Sequence, residues 1–257
     1  MTPQLAIFLF LASAAGGALN AVAGGGSFLT LPALIYAGVP PVAANATSTM
    51  ALWPGSLSAA WAYRREAALV SRWLARLALV SLAGGLLGAM LLVRTSDSSF
   101  LRLLPWLMLV AAVTFTFGGA ATQRLRRSGP GTFGSLGGDP TLWTLLLQLV
   151  IATYGGYFGG GMGIMMLAVF AVTGMTDMHA MNGLKSLLAV AINGVALLEF
   201  VVAGSVAWTP GLVMVLGAVT GGYAGASLAR RMDGRQVRTF VSVVAWLMTA
   251  YFFVRAA

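Results

Sequence analysis

Apolar residues run along the chain in ten segments, over residues 4–22, 27–38, 42–63, 73–93, 100–121, 141–154, 162–174, 178–203, 209–229 and 236–255. Six of them, those that begin at 42, 73, 100, 178, 209 and 236, carry no glycine-rich break. Each is close to the roughly 20 residues that a helix needs to cross hydrocarbon, so six transmembrane helices are expected. The remaining four form two broken pairs, interrupted at Asn20 to Ser27 (NAVAGGGS) and at Gly155 to Gly163 (GGYFGGGMG). The pattern predicts an all-α integral membrane protein. Met1 to Gly17 has a signal-like Ala12-Ser13-Ala14, but no basic side chain precedes the apolar run, so the segment is read as retained.

The long polar stretch Gln123 to Pro140 (QRLRRSGPGTFGSLGGDP) reads as a flexible cytoplasmic linker. It divides the chain into a first repeat, 1–122, and a second, 141–257. Gly24-Gly25-Gly26 recurs as Gly159-Gly160-Gly161, 135 residues later, and an offset of 137 then holds. Asn45 falls on Asn182, Thr49 on Ser186, Ser56 on Asn193, and Gly84-Gly85-x-x-Gly88 on Gly221-Gly222-x-x-Gly225. Repeats with glycine-interrupted apolar segments at corresponding places point to a secondary transporter and to its site. Packing glycines alone would not explain the matched polar positions.

Charge decides how the halves are oriented. If each broken pair crosses once, the Arg64, Arg65, Arg72, Arg76 cluster and the Arg124, Arg126, Arg127 linker fall on one side, and Arg230, Arg231, Arg235 and Arg238 on the other. If each pair is a re-entrant hairpin, every half has three crossings, the halves are inverted, and all three clusters share one side. The positive-inside rule makes that side cytoplasmic. Residues 141–174 number 34, too many for one crossing and right for two half-depth helices. The inverted arrangement is therefore preferred over a broken helix that spans once.

Composition narrows the function. The chain is 59% hydrophobic and 8% charged, a third of the roughly 25% usual in soluble domains. A net charge of +9 sits in short arginine clusters between apolar runs, which argues for membrane-facing loops and against nucleic acid. The absence of Cys excludes disulfides, thiolate metal sites and a cysteine nucleophile, and the single His179 excludes a multi-histidine metal cage. No G-x-S-x-G or G-x-x-x-x-G-K-[ST] is present and the glycine runs lack the G-x-G-x-x-G spacing after a strand, so neither an enzyme nor an ATP-driven pump is expected, and no cofactor.

The breaks are candidate binding elements. Their backbone N–H groups lack helical partners at membrane depth and must be buried in protein or line a wet cavity. Half-helices that begin at Ser27 and Met162 would aim their positive ends at the membrane centre and suit an anion. Gly24, Gly25, Gly26, Gly160 and Gly161 thus join the site, whereas Gly217-x-x-x-Gly221-x-x-x-Gly225 reads as packing. On the next helix Asn45, Ser48, Thr49 and Ser56 share one stripe, at about 0°, 300°, 40° and 20° around the axis. Asn182, Lys185, Ser186 and Asn193 repeat it, with Lys185, the sole lysine, in place of Ser48. An intramembrane cation is a functional candidate, here the counter-charge of an anionic substrate; the competing reading is a side chain that snorkels to the interface. The Asn and Ser residues serve equally well as substrate ligands or as interhelical hydrogen bonds. His179 and Glu199 are candidates for a coupling proton, and Asp177 for a helix cap.

Through GGALNAVAGGGSFLTLPALIYAGVPPVAANATSTM in the first half and GGYFGGGMGIMMLAVFAVTGMTDMHAMNGLKSLLAVAING in the second, the chain resembles the TauE/SafE family of sulfite and organosulfonate exporters. The resemblance runs from Gly16 to about Arg255. It implies two homologous halves, each opened by a glycine-rich break, with Asn45-x-Thr47 and Asn182-x-x-Lys185 stretches on the following helix. The implied substrates are small sulfur-containing anions: sulfite, sulfoacetate and related sulfonates. The family is commonly described as eight spans in a four-plus-four arrangement, which the charge pattern recasts as six spans and two re-entrant pairs. The second break departs from the first in lacking a counterpart of Pro32, so the two need not contribute equally. The expected protein is a multi-pass transporter of the inner membrane, surrounded by lipid and able to dimerise through glycine-rich faces. The alternative is a membrane-integral assembly subunit with no transport of its own.

Overall fold

The computed structural model describes residues 1–62, 71–127, 140–173, 175, 177–229 and 234–256; Arg64 and Arg65, most of the linker, and Arg230 and Arg231 lie outside them. The described residues form helices and no strand. In chain order they are α1 (Pro3–Ala23), α2 (Ser27–Tyr36), α3 (Pro41–Ala62), α4 (Ser71–Arg94), α5 (Asp97–Arg127), α6 (Leu142–Tyr157), α7 (Met162–Val172), α8 (Met178–Val202), α9 (Trp208–Ala229) and α10 (Gly234–Ala256). Each apolar run has become one helix. α5 passes the expected boundary, so Gln123 to Arg127 are helical rather than part of a flexible linker, in keeping with the helix propensity of Gln, Leu and Arg.

Helix starts follow ordinary capping chemistry. Thr2 accepts the Leu5 N–H ahead of Pro3, and Thr141 accepts that of Thr144 at 3.3 Å. The start of α3 is capped from another helix, because Asp97 Oδ1 accepts the Val42 N–H at 2.8 Å.

The broken pairs are helical hairpins. After Gly24, α2 folds back along α1, so that Thr30 lies beside Gly16 and the Tyr36 ring reaches Phe8 at 5.4 Å, near the end where α1 began. After Gly161, α7 returns along α6, with Met162 against Gly155 and Met166 Sδ 3.5 Å from Gln148 Nε2. With 10 and 11 residues, α2 and α7 are about 15 Å long, half the hydrocarbon thickness.

Each hairpin packs on a helix of the other half. Gly217 meets Phe10 and Gly221 meets Ala14, so α9 and α1 run in the same direction, close enough that a methyl group on Gly221 would overlap the Ala14 carbonyl. The α4–α6 pair repeats this: Gly84 lies on Leu149 and Gly88 on Thr153. Gly217 and Gly221 are thus packing glycines, as expected, and the face they make is occupied within the chain. α5 and α10 run in opposite directions, with Trp106 on Phe253 at 5.2 Å and Trp246 Nε1 donating to Thr116 at 2.9 Å. At the centre α3 crosses α8, where Trp53 Nε1 donates to the Val190 carbonyl at 3.2 Å and the indole packs on Gly194. The end of α8 leads to Ala207, whose N–H is held by Thr47 near the start of α3, so these two helices are also antiparallel.

Four described helical segments are long and apolar enough to cross a membrane: Pro3–Ala21, Leu74–Arg94, Asp97–Ala120 and Ala180–Val202. Three coincide with expected spans, whereas Pro3–Ala21 belongs to a hairpin. α3 has the length, with 22 residues, but Asn45, Thr47, Ser48 and Thr49 dilute its apolar character. The interior holds one cluster around Leu9, Phe28, Leu34, Phe100 and Phe115, and a second around Met166, Phe170, Met181, Leu188 and Ile192. Leu79, Leu142, Trp143 and Leu216 face outward, the expected surface for a lipid solvent.

Candidate functional site

At the first break Gly24 ends α1 in the left-handed region, with φ 76°, and Gly26 caps α2. A Cβ on Gly26 would lie 2.6 Å from the Gly16 carbonyl oxygen and 2.9 Å from both Asn20 Cβ and Leu52 Cδ2, so the backbone of the break fits only without a side chain. Gly25 and Gly26 are buried and Ser27 half-buried. Thr30 Oγ1 donates to the Gly26 carbonyl at 3.2 Å and lies 2.6 Å from Ser48 Oγ. Both hydroxyls are closed off, at 0% and 1% exposure.

The second break is held largely by the first half. Asn45 Nδ2 donates to the Tyr157 carbonyl at 3.0 Å, Tyr157 OH to Thr95 Oγ1 at 3.3 Å, and Tyr154 OH to the Leu107 carbonyl at 3.2 Å. Gly161, with φ 80°, packs on Ala111 of α5. Gly160, Gly161 and Met162 are buried. No described side chain caps α7, and its first backbone bonds, from Ile164 and Met165 to Gly161, leave the Met162 and Gly163 N–H groups outside that pattern.

Lys185 comes to this break. Its Cδ would stand 3.3 Å from a Cβ on Gly163, in the first turn of α7, and its Nζ donates to Asn182 Oδ1 at 3.1 Å. The ammonium and the positive end of α7 therefore lie on one side of the hairpin tip, a local field that favours an anion. Asp177 and Glu199 lie 8 and 14 residues away on α8 or just before it, about 12 and 21 Å along the axis. Among the described residues no carboxylate forms an ion pair with Lys185.

Both breaks lie near the α3–α8 crossing. Gly26 packs on Leu52 and the Asn20 amide lies over Gly55, on either side of Trp53; Gly155 packs on Ile192, beside Val190. Ser186 is buried, Thr49 donates to the Asn45 carbonyl at 3.1 Å, and Glu199 is half-buried near the far end of α8. His179 is in the first turn of α8, its side chain outside the described residues, and Asp177 is exposed. Thr30, Asn20 and Trp53 were not among the expected site residues. Thr30 and Asn20 had a signal in the sequence, a polar side chain within one turn of the glycine triplet, whereas the Trp53 contact depends on the crossing of two helices.

Comparison with known proteins follows the same line. A probable membrane transporter protein of Haemophilus influenzae is 28% identical over 96% of this chain and 94% of its own length. The probable membrane transporter protein ORF9 of a Sinorhizobium species is 30% identical over 94% and 90%, and YfcA of Escherichia coli K12, also a probable membrane transporter protein, is 26% identical over 97% and 90%. No solved structure gives a significant match. The sulfite exporter TauE/SafE family model matches residues 9–252, almost the whole chain, which therefore belongs to the TauE/SafE family.

Proposed function

We propose that this membrane transporter exports a small sulfur-containing anion, such as sulfite, sulfoacetate or a related organosulfonate, across the inner membrane by alternating access. The reading rests above all on Lys185, a cation at a hairpin tip with no carboxylate partner among the described residues. Buried charge at membrane depth is costly unless something neutralises it, and a bound anion does so. The family description supplies the substrate class.

Alternating access needs two arrangements of similar stability, which inverted halves provide. Inversion is supported by the antiparallel course of α5 and α10, by the equivalent α1–α9 and α6–α4 seams, and by the bond from Trp53 to Val190, its counterpart 137 residues later. In this arrangement the Arg clusters and the linker face the cytoplasm. The glycine breaks, Asn45, Thr49, Asn182 and Ser186 surround the path, and His179 and Glu199 are the candidates for a coupling proton.

The test is uptake of labelled sulfite and sulfoacetate into liposomes that hold the purified protein, with and without a pH gradient. Saturable uptake of at least one anion is expected. No uptake of either by folded protein would overturn the sulfonate assignment.

A further inference from the structure

The two halves match in sequence, yet they differ in the side chain that stands beside each break: a closed hydroxyl, Ser48, at the first and a half-buried ammonium, Lys185, at the second. We infer that the anion binds to the second half alone, at Lys185 and Asn182 beside Gly163, and that the site takes a single negative charge, which narrows the proposed substrates to monoanionic sulfonates and hydrogen sulfite and sets aside the dianion sulfoacetate. The inference rests on the transporter reading and sharpens it.

Three observations carry it. The counterpart of Lys185 is Ser48, and its hydroxyl is engaged with Thr30, which is also bonded to the Gly26 carbonyl; at 1% and 0% exposure neither can meet a ligand. Lys185, Asn182 and Gly163 are all half-buried rather than closed off. The α2 start already uses the Phe28 N–H on the Gly25 carbonyl at 3.2 Å, whereas in α7 the first such bond begins at Ile164.

Distance separates the two positions further. Ser48 and Lys185 each precede the Trp53–Val190 crossing by five residues, on helices that run in opposite directions. At ~1.5 Å per residue they lie about 15 Å apart along the axis, on opposite sides of the crossing. A small sulfonate head cannot span that gap. Its charge is balanced by one ammonium, and a second negative charge would enter a low-dielectric site with no second cation among the described side chains to meet it. In the free protein the Asn182 carbonyl oxygen accepts from Lys185, and an arriving anion replaces it there.

The experiment is calorimetric titration of the purified full-length protein with methanesulfonate, a monoanion, and with ethane-1,2-disulfonate, a dianion. Wild-type protein is expected to bind methanesulfonate at least about 10-fold more tightly than the disulfonate. Lys185→Ala should weaken methanesulfonate by about 100-fold or more, the scale of one charge contact in a partly buried site, with Lys185→Arg recovering part of it. Thr30→Val, which keeps the shape and removes the hydroxyl of the closed pair, should stay within about 3-fold of wild type. Ser48→Lys, which adds a cation beside the first break, should leave the monoanion preference in place because the added charge is too distant to share one ligand. Equal or tighter binding of the disulfonate would overturn the single-charge assignment, and equal losses in Thr30→Val and Lys185→Ala would overturn the one-sided site. If wild-type protein, shown to be folded by its thermal transition, binds neither sulfonate nor sulfite, the transporter-substrate reading itself fails, and the inference with it.

Discussion

Gly88→Ala tests the seam that carries the second hairpin. The added methyl group would overlap the Thr153 carbonyl and lie 2.7 Å from Tyr157 N and 3.0 Å from Gly156 C. All three neighbours are backbone, so no side chain can swing aside. Carbon contacts settle at ~3.5–4.0 Å, and a gap of 0.5–1 Å forfeits about a quarter to a half of each contact around it. Overpacking of this kind costs ~1–3 kcal/mol, here toward the upper end; the better helix propensity of Ala returns about 1 kcal/mol, which leaves a loss of about 2 kcal/mol. For a chain of this size that lowers the melting temperature by about 4–8 °C. The paired control is Gly222→Ala, whose Cβ would meet nothing nearer than the Gly17 carbonyl oxygen at 3.6 Å. Only the propensity gain applies there, so its melting temperature should hold or rise. Thermal unfolding of both variants in detergent gives the comparison. Equal shifts, or a Gly88→Ala that melts at or above wild type, would refute the close-packed α4–α6 seam.

Asn45→Ala removes the only described side-chain bond to the Tyr157 carbonyl and should cost ~1–3 kcal/mol in thermal stability, with transport reduced because the second break is released from α3. Gln148 is fully buried, its Nε2 bonded to Ser81 at 2.8 Å and its Oε1 without a partner among the described residues. Gln148→Leu removes that orphaned oxygen but also the bond to the buried Ser81, so the two effects should offset to within ~1 kcal/mol on thermal unfolding; a loss of ~3 kcal/mol or more would mean that the amide oxygen is satisfied in the protein. Asp97→Ala deprives the start of α3 of its cap and should cost ~0.5–2 kcal/mol, while Asp97→Asn should recover most of that in the same assay.

What was legible in the sequence was whatever depends on local pattern. Apolar runs gave the helices within a few residues, the glycine triplets marked both hairpin turns, and the 137-residue offset of the repeat is also the separation of Trp53 and Val190, which the structure joins. α5 ran five residues farther because helix propensity continues past the apolar stretch. The site was legible only in part. Position on a stripe told that Asn45, Ser48 and Lys185 share faces, not which partner each one finds. Asn45 turned out to hold the opposite half's break and Ser48 to close against Thr30, outcomes set by helix crossings that no single segment encodes. Lys185 was the strongest signal because a lone cation in an apolar helix needs a reason wherever the helix is placed.

The most direct test of a site that opens alternately to both faces uses the absence of cysteine from the chain. A single Gly163→Cys variant, with its thiol beside Lys185, is reacted in oriented vesicles with a membrane-impermeant maleimide from each face in turn, with and without methanesulfonate. Labelling from both faces, slowed from both by the sulfonate, is the expected result. Labelling from one face only, or at a rate indifferent to the sulfonate on both, would contradict an anion carried past Lys185.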